Sequence, residues 1–168
     1  MRFSLKVSAA VHILLVAHFF SETKRITGRL LSKSTGCNPV VVRTLVLSLK
    51  NAGILEVSRG PLGGARLLKT PEEISLWDVY AAVDPESMDA LVRGIHNTSS
   101  QHCPVGRWIL DVLKGPYEKI AGVIEKEMRA IALADLASGF SADEIESFKE
   151  ILSRTRTEDL PDRASPPD

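Results

Sequence analysis

From the N-terminal end, apolar side chains fall at Leu5, Ala9, Ile13, Val16 and Phe20, the three- and four-residue spacing of one helical face. The run VSAAVHILLVAHFF is apolar on its other sides too, so the predicted helix, capped by Ser4 and ending near Ser21, belongs deep in a core. Arg2 and Lys6 ahead of this run imitate a signal peptide. His12 and His18 interrupt it, SETKRIT follows without a small-residue cleavage site, and a membrane span needs about twenty residues. The expectation is therefore a buried helix and no membrane partner.

The pattern then shortens. In ITGRLLSKSTGCNP, Thr27 can cap a short helix reaching Lys33, with Ser34, Thr35 and Gly36 as the turn that ends it. Asn38 can cap the next helix, with Pro39 at its first position, where a missing N–H costs nothing. That helix, VVVRTLVLSLKNAG, stops at Gly53, which can take the left-handed conformation. Its periodicity turns Val42, Leu45, Val46 and Leu49 inward and leaves Val40, Arg43, Thr44 and Lys50 outside. Two short helices around a Gly-containing turn make a helix-turn-helix pattern, whose second helix can offer Arg43 to guanine or phosphate and Val40 to a thymine methyl. Alone, the same pattern also describes an amphipathic helix with a solvated face.

Alternation and β-branching then predict a strand in ILEVS and its return in ARLLK, so RGPLGG is a hairpin tip. It lacks the Walker spacing and opens no helix, which excludes a phosphate cradle or a dinucleotide fingerprint. Gly60, Gly63 and Gly64 strip the tip of side-chain bulk for a close approach to a neighbour. Arg59 and Arg66 flank it with charge suited to phosphates or a narrow minor groove, and Pro61 adds a rigid apolar edge.

Further on, Thr70 to Glu73 offers a turn start, and Ser75 with Asp78 a capping box for LWDVYAAV. From about Val105 the pattern is helical again, with a break expected at Gly115-Pro116 and an apolar stripe at Ile120, Ile124, Met128 and Ile131. The small head has already used its helices for one core, so this stripe suits packing across a two-fold axis. Residues 138–168 read as a polar appendix: SADEIESFKEIL starts with a capping-box-like Ser141 to Glu144, and TEDLPDRASPPD has the composition of a disordered end.

Composition sharpens the picture only when the chain is divided. The formal net charge is zero. Residues 1–70, however, carry eleven basic side chains against Glu22 and Glu56, a net of +9, and the remainder carries −9. A basic half of that strength points to an anionic partner. Cys37 and Cys103 make no disulfide framework and no zinc spacing, which fits a reducing cytoplasm.

Helix, helix-turn-helix, hairpin and following helix come in a familiar order. MRFSLKVSAAVHILLVA, STGCNPVVVRTLVLSLKNAGIL, SRGPLGGARLLKTPEEISLWDVYAAVD and HCPVG closely resemble the Rrf-two family of bacterial transcriptional regulators over about residues 1–137. The resemblance implies a mainly α fold with a small β-hairpin wing, that is, a winged helix-turn-helix domain plus a long dimerisation helix. It implies a DNA-binding domain over 1–83, an effector loop over 84–103, a dimerisation helix over 104–138, and a short helix and tail over 139–168. The function implied is a cytoplasmic regulator, expected to be a repressor, binding a partly palindromic operator as a homodimer, with no catalytic activity.

The DNA-binding residues expected are Thr27, Arg29, Asn38, Pro39, Val40, Arg43, Thr44, Lys50, Arg59, Gly60, Pro61, Gly63, Gly64 and Arg66. Ile120, Ile124, Met128 and Ile131 are the dimerisation residues expected. Cluster-binding members carry three cysteines before the dimerisation helix, and DPESMDALVRGIHNTSSQHCPVG holds only Cys103. This places the chain in a cysteine-poor branch, with no cofactor and no metal expected. Cys103 beside His102, at a helix start, is a candidate thiol sensor, which makes an oxidant or a small molecule the effector. The alternatives are a protein-interaction module on a winged-helix fold, and a redox or metal-binding protein centred on His102 and Cys103.

Overall fold

The structure is a computed structural model describing residues 5–58, 64–86 and 102–155. Helix α1 (Leu5–Phe20) buries nine residues distributed around its circumference, so it runs through the core as its all-round apolar pattern requires. The expected cap, Ser4, lies outside the described residues. Helices α2 (Gly28–Thr35) and α3 (Pro39–Asn51) pack on α1 through Leu30, Leu31, Val42, Leu45 and Leu49. Helix α2 runs two residues past its expected end at Lys33, because Gly36, at φ 66°, ends it.

Strands β1 (Leu55–Ser58) and β2 (Gly64–Leu67) form an antiparallel hairpin in which Leu55 opposes Leu67 and Glu56 opposes Arg66. A single 3₁₀ turn at Pro71–Glu73 leads to α4 (Leu76–Val83), which packs across α1 and α3. The architecture is mainly α with a two-stranded wing.

The long helix α5 (Pro104–Ala130) runs unbroken through Gly115 and Pro116, where a break was expected. Proline removes one N–H and deprives the Val112 carbonyl of its usual partner, and because Gly115 and Pro116 are exposed, water can replace that bond. At its far end the chain returns to the head. Leu76 N–H donates to the Ile131 carbonyl and Leu133 N–H to the Ile74 carbonyl, both at 2.8 Å, making a short antiparallel bridge. Arg129 reinforces the joint by lying 5.4 Å over the Trp77 ring and 3.9 Å from Asp78. The short helix α6 (Leu133–Ala137) follows.

Helix α7 (Ala142–Arg154) starts at Ser141, whose hydroxyl accepts from Glu144 N–H. The expectation of a polar appendix is corrected here. Leu152 is 1% exposed, Phe148 meets Phe20 edge-on at 5.3 Å, and Lys24 Nζ donates to the Thr155 carbonyl at 2.8 Å. Ile145, Phe148 and Leu152 of SADEIESFKEIL thus form a docking face on the head, while TEDLPDRASPPD lies outside the described residues. No described helix is long and apolar enough to cross a membrane.

Candidate nucleic-acid interface

The turn between α2 and α3 is fixed by short polar side chains. Thr27 Oγ1 accepts from Leu30 N–H at 3.1 Å and Asn38 Oδ1 accepts from Val40 N–H at 2.8 Å, capping both helices. Inside the turn, Ser32 Oγ donates to the Cys37 carbonyl at 2.6 Å and Cys37 N–H donates to Thr35 Oγ1 at 3.2 Å. Cys37 is half-buried and packs on the core, so its place is structural. Gly53, at φ 68°, closes α3: its N–H donates to the Lys50 carbonyl and that of Ile54 to the Leu49 carbonyl.

These caps hold α3 with one face outward. Val40, Arg43, Leu47 and Lys50 recur at steps of three, four and three residues, and all four are exposed, Val40 at 72% and Leu47 at 55%. Leu47 was missed in the sequence, although its position four residues after Arg43 puts it on the same stripe. Thr44 is exposed too, but its hydroxyl donates to the Val40 carbonyl at 3.0 Å. Asn38, Pro39 and Arg29 are exposed beside the helix starts, and no acidic residue occupies the first turn of α2 or α3, so neither first turn carries a carboxylate against its positive dipole end. Thr27 is half-buried and committed to its cap.

The hairpin is tied to the same unit. Ala65 N–H donates to the Ile26 carbonyl at 2.9 Å, and a Cβ on Gly64 would stand 3.0 Å from Ile26 N and 3.2 Å from Arg25 Cγ. The close approach that Gly64 allows is therefore to the chain's own segment ahead of α2, and its φ of 142° favours glycine independently. Arg66 is exposed but sits opposite Glu56, so its charge shares that edge with a carboxylate. Arg59, Gly60, Pro61 and Gly63 lie outside the described residues.

The residues expected to dimerise differ in burial. Ile120 is 49% exposed, Ile124 is half-buried against the core, and Met128 is buried at 5% within the chain's own core. Ile131 lies just past the end of α5, where its carbonyl joins the bridge to α4. The exposed apolar stripe is instead Val105, Trp108, Val112, Ile120 and Val123, at steps of three, four, eight and three. Only Ile120 belongs to both sets.

Cys103 is an exposed free thiol at the start of α5, with Pro104 at the first helical position. His102 beside it is also exposed. Among the described residues no group of three His, Cys, Asp or Glu side chains could hold a metal ion. A thiolate-ligated cluster does not fit: the chain has two cysteines, and Cys37 is bound into the helix-turn-helix. His96, the remaining candidate ligand of the loop, lies outside the described residues.

The chain matches the family described as "Rrf2: Iron-dependent Transcriptional regulator" over residues 3–139. It is 33% identical over 131 residues to the Bacillus subtilis (strain 168) protein named "Putative HTH-type transcriptional regulator YwnA", covering 78% of this chain and 93% of that one. Its fold is shared with IscR of T. potens, at TM-score 0.61 and 21% identity over 86% of this chain and 91% of that one. CymR, the global cysteine regulator of B. subtilis, has the same fold at TM-score 0.58 and 17% identity, over 84% of this chain and 99% of that one.

Proposed function

Because the chain belongs to the Rrf2 family of transcriptional regulators, we propose that it binds a partly palindromic duplex operator as a homodimer and acts as a cytoplasmic repressor. The chain is a regulator and not an enzyme. The exposed stripe of α3 carries this reading, since it combines Arg43 and Lys50 with Val40 and Leu47 on a helix fixed at both ends. Arginine can pair with guanine O6 and N7 or with phosphate, and aliphatic side chains favour thymine methyls. Arg29, the helix starts and the hairpin, including Arg59 and Arg66, provide phosphate contacts that set register.

The second copy is supplied by the Val105, Trp108, Val112, Ile120 and Val123 stripe. Its residues are apolar and exposed, and a two-fold pair is what half-sites about 34–36 Å apart require of two recognition helices. The effector is a small molecule or an oxidant. Cys103, exposed at the start of the helix that would join the two copies, is the candidate for the oxidant.

Salt dependence of duplex binding tests the DNA reading. If a dimer neutralises some six to ten phosphates, log K falls against log salt with a slope of roughly −5 to −9. Binding that holds constant from low to physiological salt would overturn it.

A further inference from the structure

Helix α3 leaves Val40, Val41 and Leu47 exposed, and its sequence PVVVRTLVLSLKN carries no acidic residue. A solvated helix face is ordinarily polar and of mixed charge. Val40, Arg43, Thr44 and Leu47 stand at offsets of zero, three, four and seven residues, within an arc of about 100°. Offsets of this kind let a helix lying along the major groove reach base edges over two of its turns.

Within this set the guanidinium of Arg43 has donors to offer, since it makes no hydrogen bond or ion pair among the described residues. Thr44 Oγ1 instead donates back to the Val40 carbonyl at 3.0 Å. Val40 and Leu47 stand on either side of Arg43 along the helix, and their side chains have neither donor nor acceptor. The apolar group that the major groove presents to such side chains is the C5 methyl of a pyrimidine.

Spacing then sets a pattern. Seven residues of helix rise about 10.5 Å, which is about three base-pair steps of 3.4 Å. Thymine places its methyl beside an O4 acceptor, and 5-methylcytosine places the same methyl beside an N4 donor. An aliphatic side chain meets the methyl and makes no bond to either polar group.

We propose that α3 is a reader of pyrimidine C5 methyl groups. Val40 and Leu47 each cover one methyl, about three base pairs apart, on either side of a guanine held by Arg43. At both positions 5-methylcytosine serves as well as thymine, so operator affinity responds to cytosine-5 methylation. This inference rests on the DNA-binding reading and adds what the helix recognises.

The test starts from the full chain and a selection of bound duplexes from a random pool. The enriched half-site should hold a guanine between two thymines, counted on either strand. Each thymine is then replaced in turn by uracil, which lacks only the methyl, by cytosine and by 5-methylcytosine, with affinities measured at one salt concentration. Removing one covered methyl should weaken binding about fourfold for each half-site that carries the change. Cytosine should bind no better than uracil, and 5-methylcytosine should recover the affinity of thymine. Leu47→Ala should erase the difference between thymine and uracil at one position, and Val40→Ala at the other; both side chains are exposed, so neither change touches the core. Equal affinity for thymine and uracil at every position would overturn the proposal and leave DNA binding standing. So would methyl sensitivity that both variants retain, or rejection of 5-methylcytosine together with cytosine. If no duplex is enriched, the DNA-binding reading fails and this one with it.

Discussion

Helix α1 hides nine of its sixteen residues, whereas α5, with twenty-seven, hides Met128 alone. Both are helices, and both carry abundant Val, Leu, Ile and aromatic side chains. They differ in where the covering comes from. Most neighbours of α1 are local in the chain: α2, α3, the hairpin and α4 close around it within the next sixty or so residues, and α6 and α7 add the rest from farther on. Among the described residues, helix α5 touches the head near its C-terminal end, through Ile124, Met128 and Arg129, and along much of its length apolar side chains are exposed. A helix of that length gains its stability from packing on one face. The head is built to stand by itself, and α5 is built to be completed.

The largest effect expected follows from that contrast. Trp108→Glu with Val123→Glu places charge on the open stripe, and each change is felt twice in a symmetric dimer. At about 1.5–3 kcal/mol for burying one large apolar side chain, dimerisation should weaken by a hundredfold or more. Sedimentation should show a monomer, with the helical circular dichroism of the head retained. A dimer that survives unchanged would put the interface elsewhere.

Met128→Ala tests the opposite face, where α5 is anchored to its own head. Truncating a buried methionine costs about 2–5 kcal/mol, read as a lower midpoint in urea. The dimer should persist if α5 serves the two faces separately. Dissociation of Met128→Ala with no loss of head stability would mean that Met128 is a partner contact, and that the two faces are one.

A smaller effect is expected on the recognition side. Arg43→Ala should cost about 1–3 kcal/mol at one operator position, read as relaxed preference among base variants in a competition assay. Leu47→Ala should act in the same direction but less. If both variants bind every sequence as the parent does, the stripe on α3 does not read bases.

What could be read from the sequence divides along the same line. Thr27, Asn38 with Pro39, Gly53, and Ser75 with Asp78 each announced a helix boundary, because a cap is satisfied within a few residues of itself. The head could therefore be assembled from local signals. The joints made at long range were hidden. Nothing near Gly64 says that its missing side chain makes room for Ile26, and nothing near Ile131 says that its carbonyl meets Leu76.

The residues expected to dimerise divide according to where α5 meets the head. Ile120, Ile124 and Met128 are each four residues apart, and every such step turns about 40° beyond a full turn. That winding is narrower than the exposed stripe itself, so position along the helix decides: Ile124 and Met128 lie near the end that meets the head, and Ile120 lies before it. Helix α7 was read as an appendix because its polar residues outnumber its apolar ones, yet Phe148 and Leu152 suffice to dock it.

The smallest effect expected lies at the joint between the two regions. Asp78 Oδ2 accepts from Ser75 Oγ–H at 2.6 Å and from Ser75 N–H at 3.0 Å, and Arg129 of α5 stands 3.9 Å away. Partial burial pushes the Asp78 carboxyl upward, but the two Ser75 bonds, with Arg129 and Lys69 beyond them, outweigh it and hold the pKa below the usual 3.8. Depressed in the folded state, it contributes stability that is complete above the unfolded value and is lost as pH falls through the folded one. The group is 39% exposed, so solvent screening keeps the contribution under about 1 kcal/mol. Asp78→Asn should therefore be less stable than the parent by a constant margin from pH 7 down to about 5. Below 3.8 the margin should close as the parent carboxyl takes up its proton. Urea unfolding at matched pH values reads this directly. A margin that stays open under acid would show that Asp78 holds the joint by shape and not by charge.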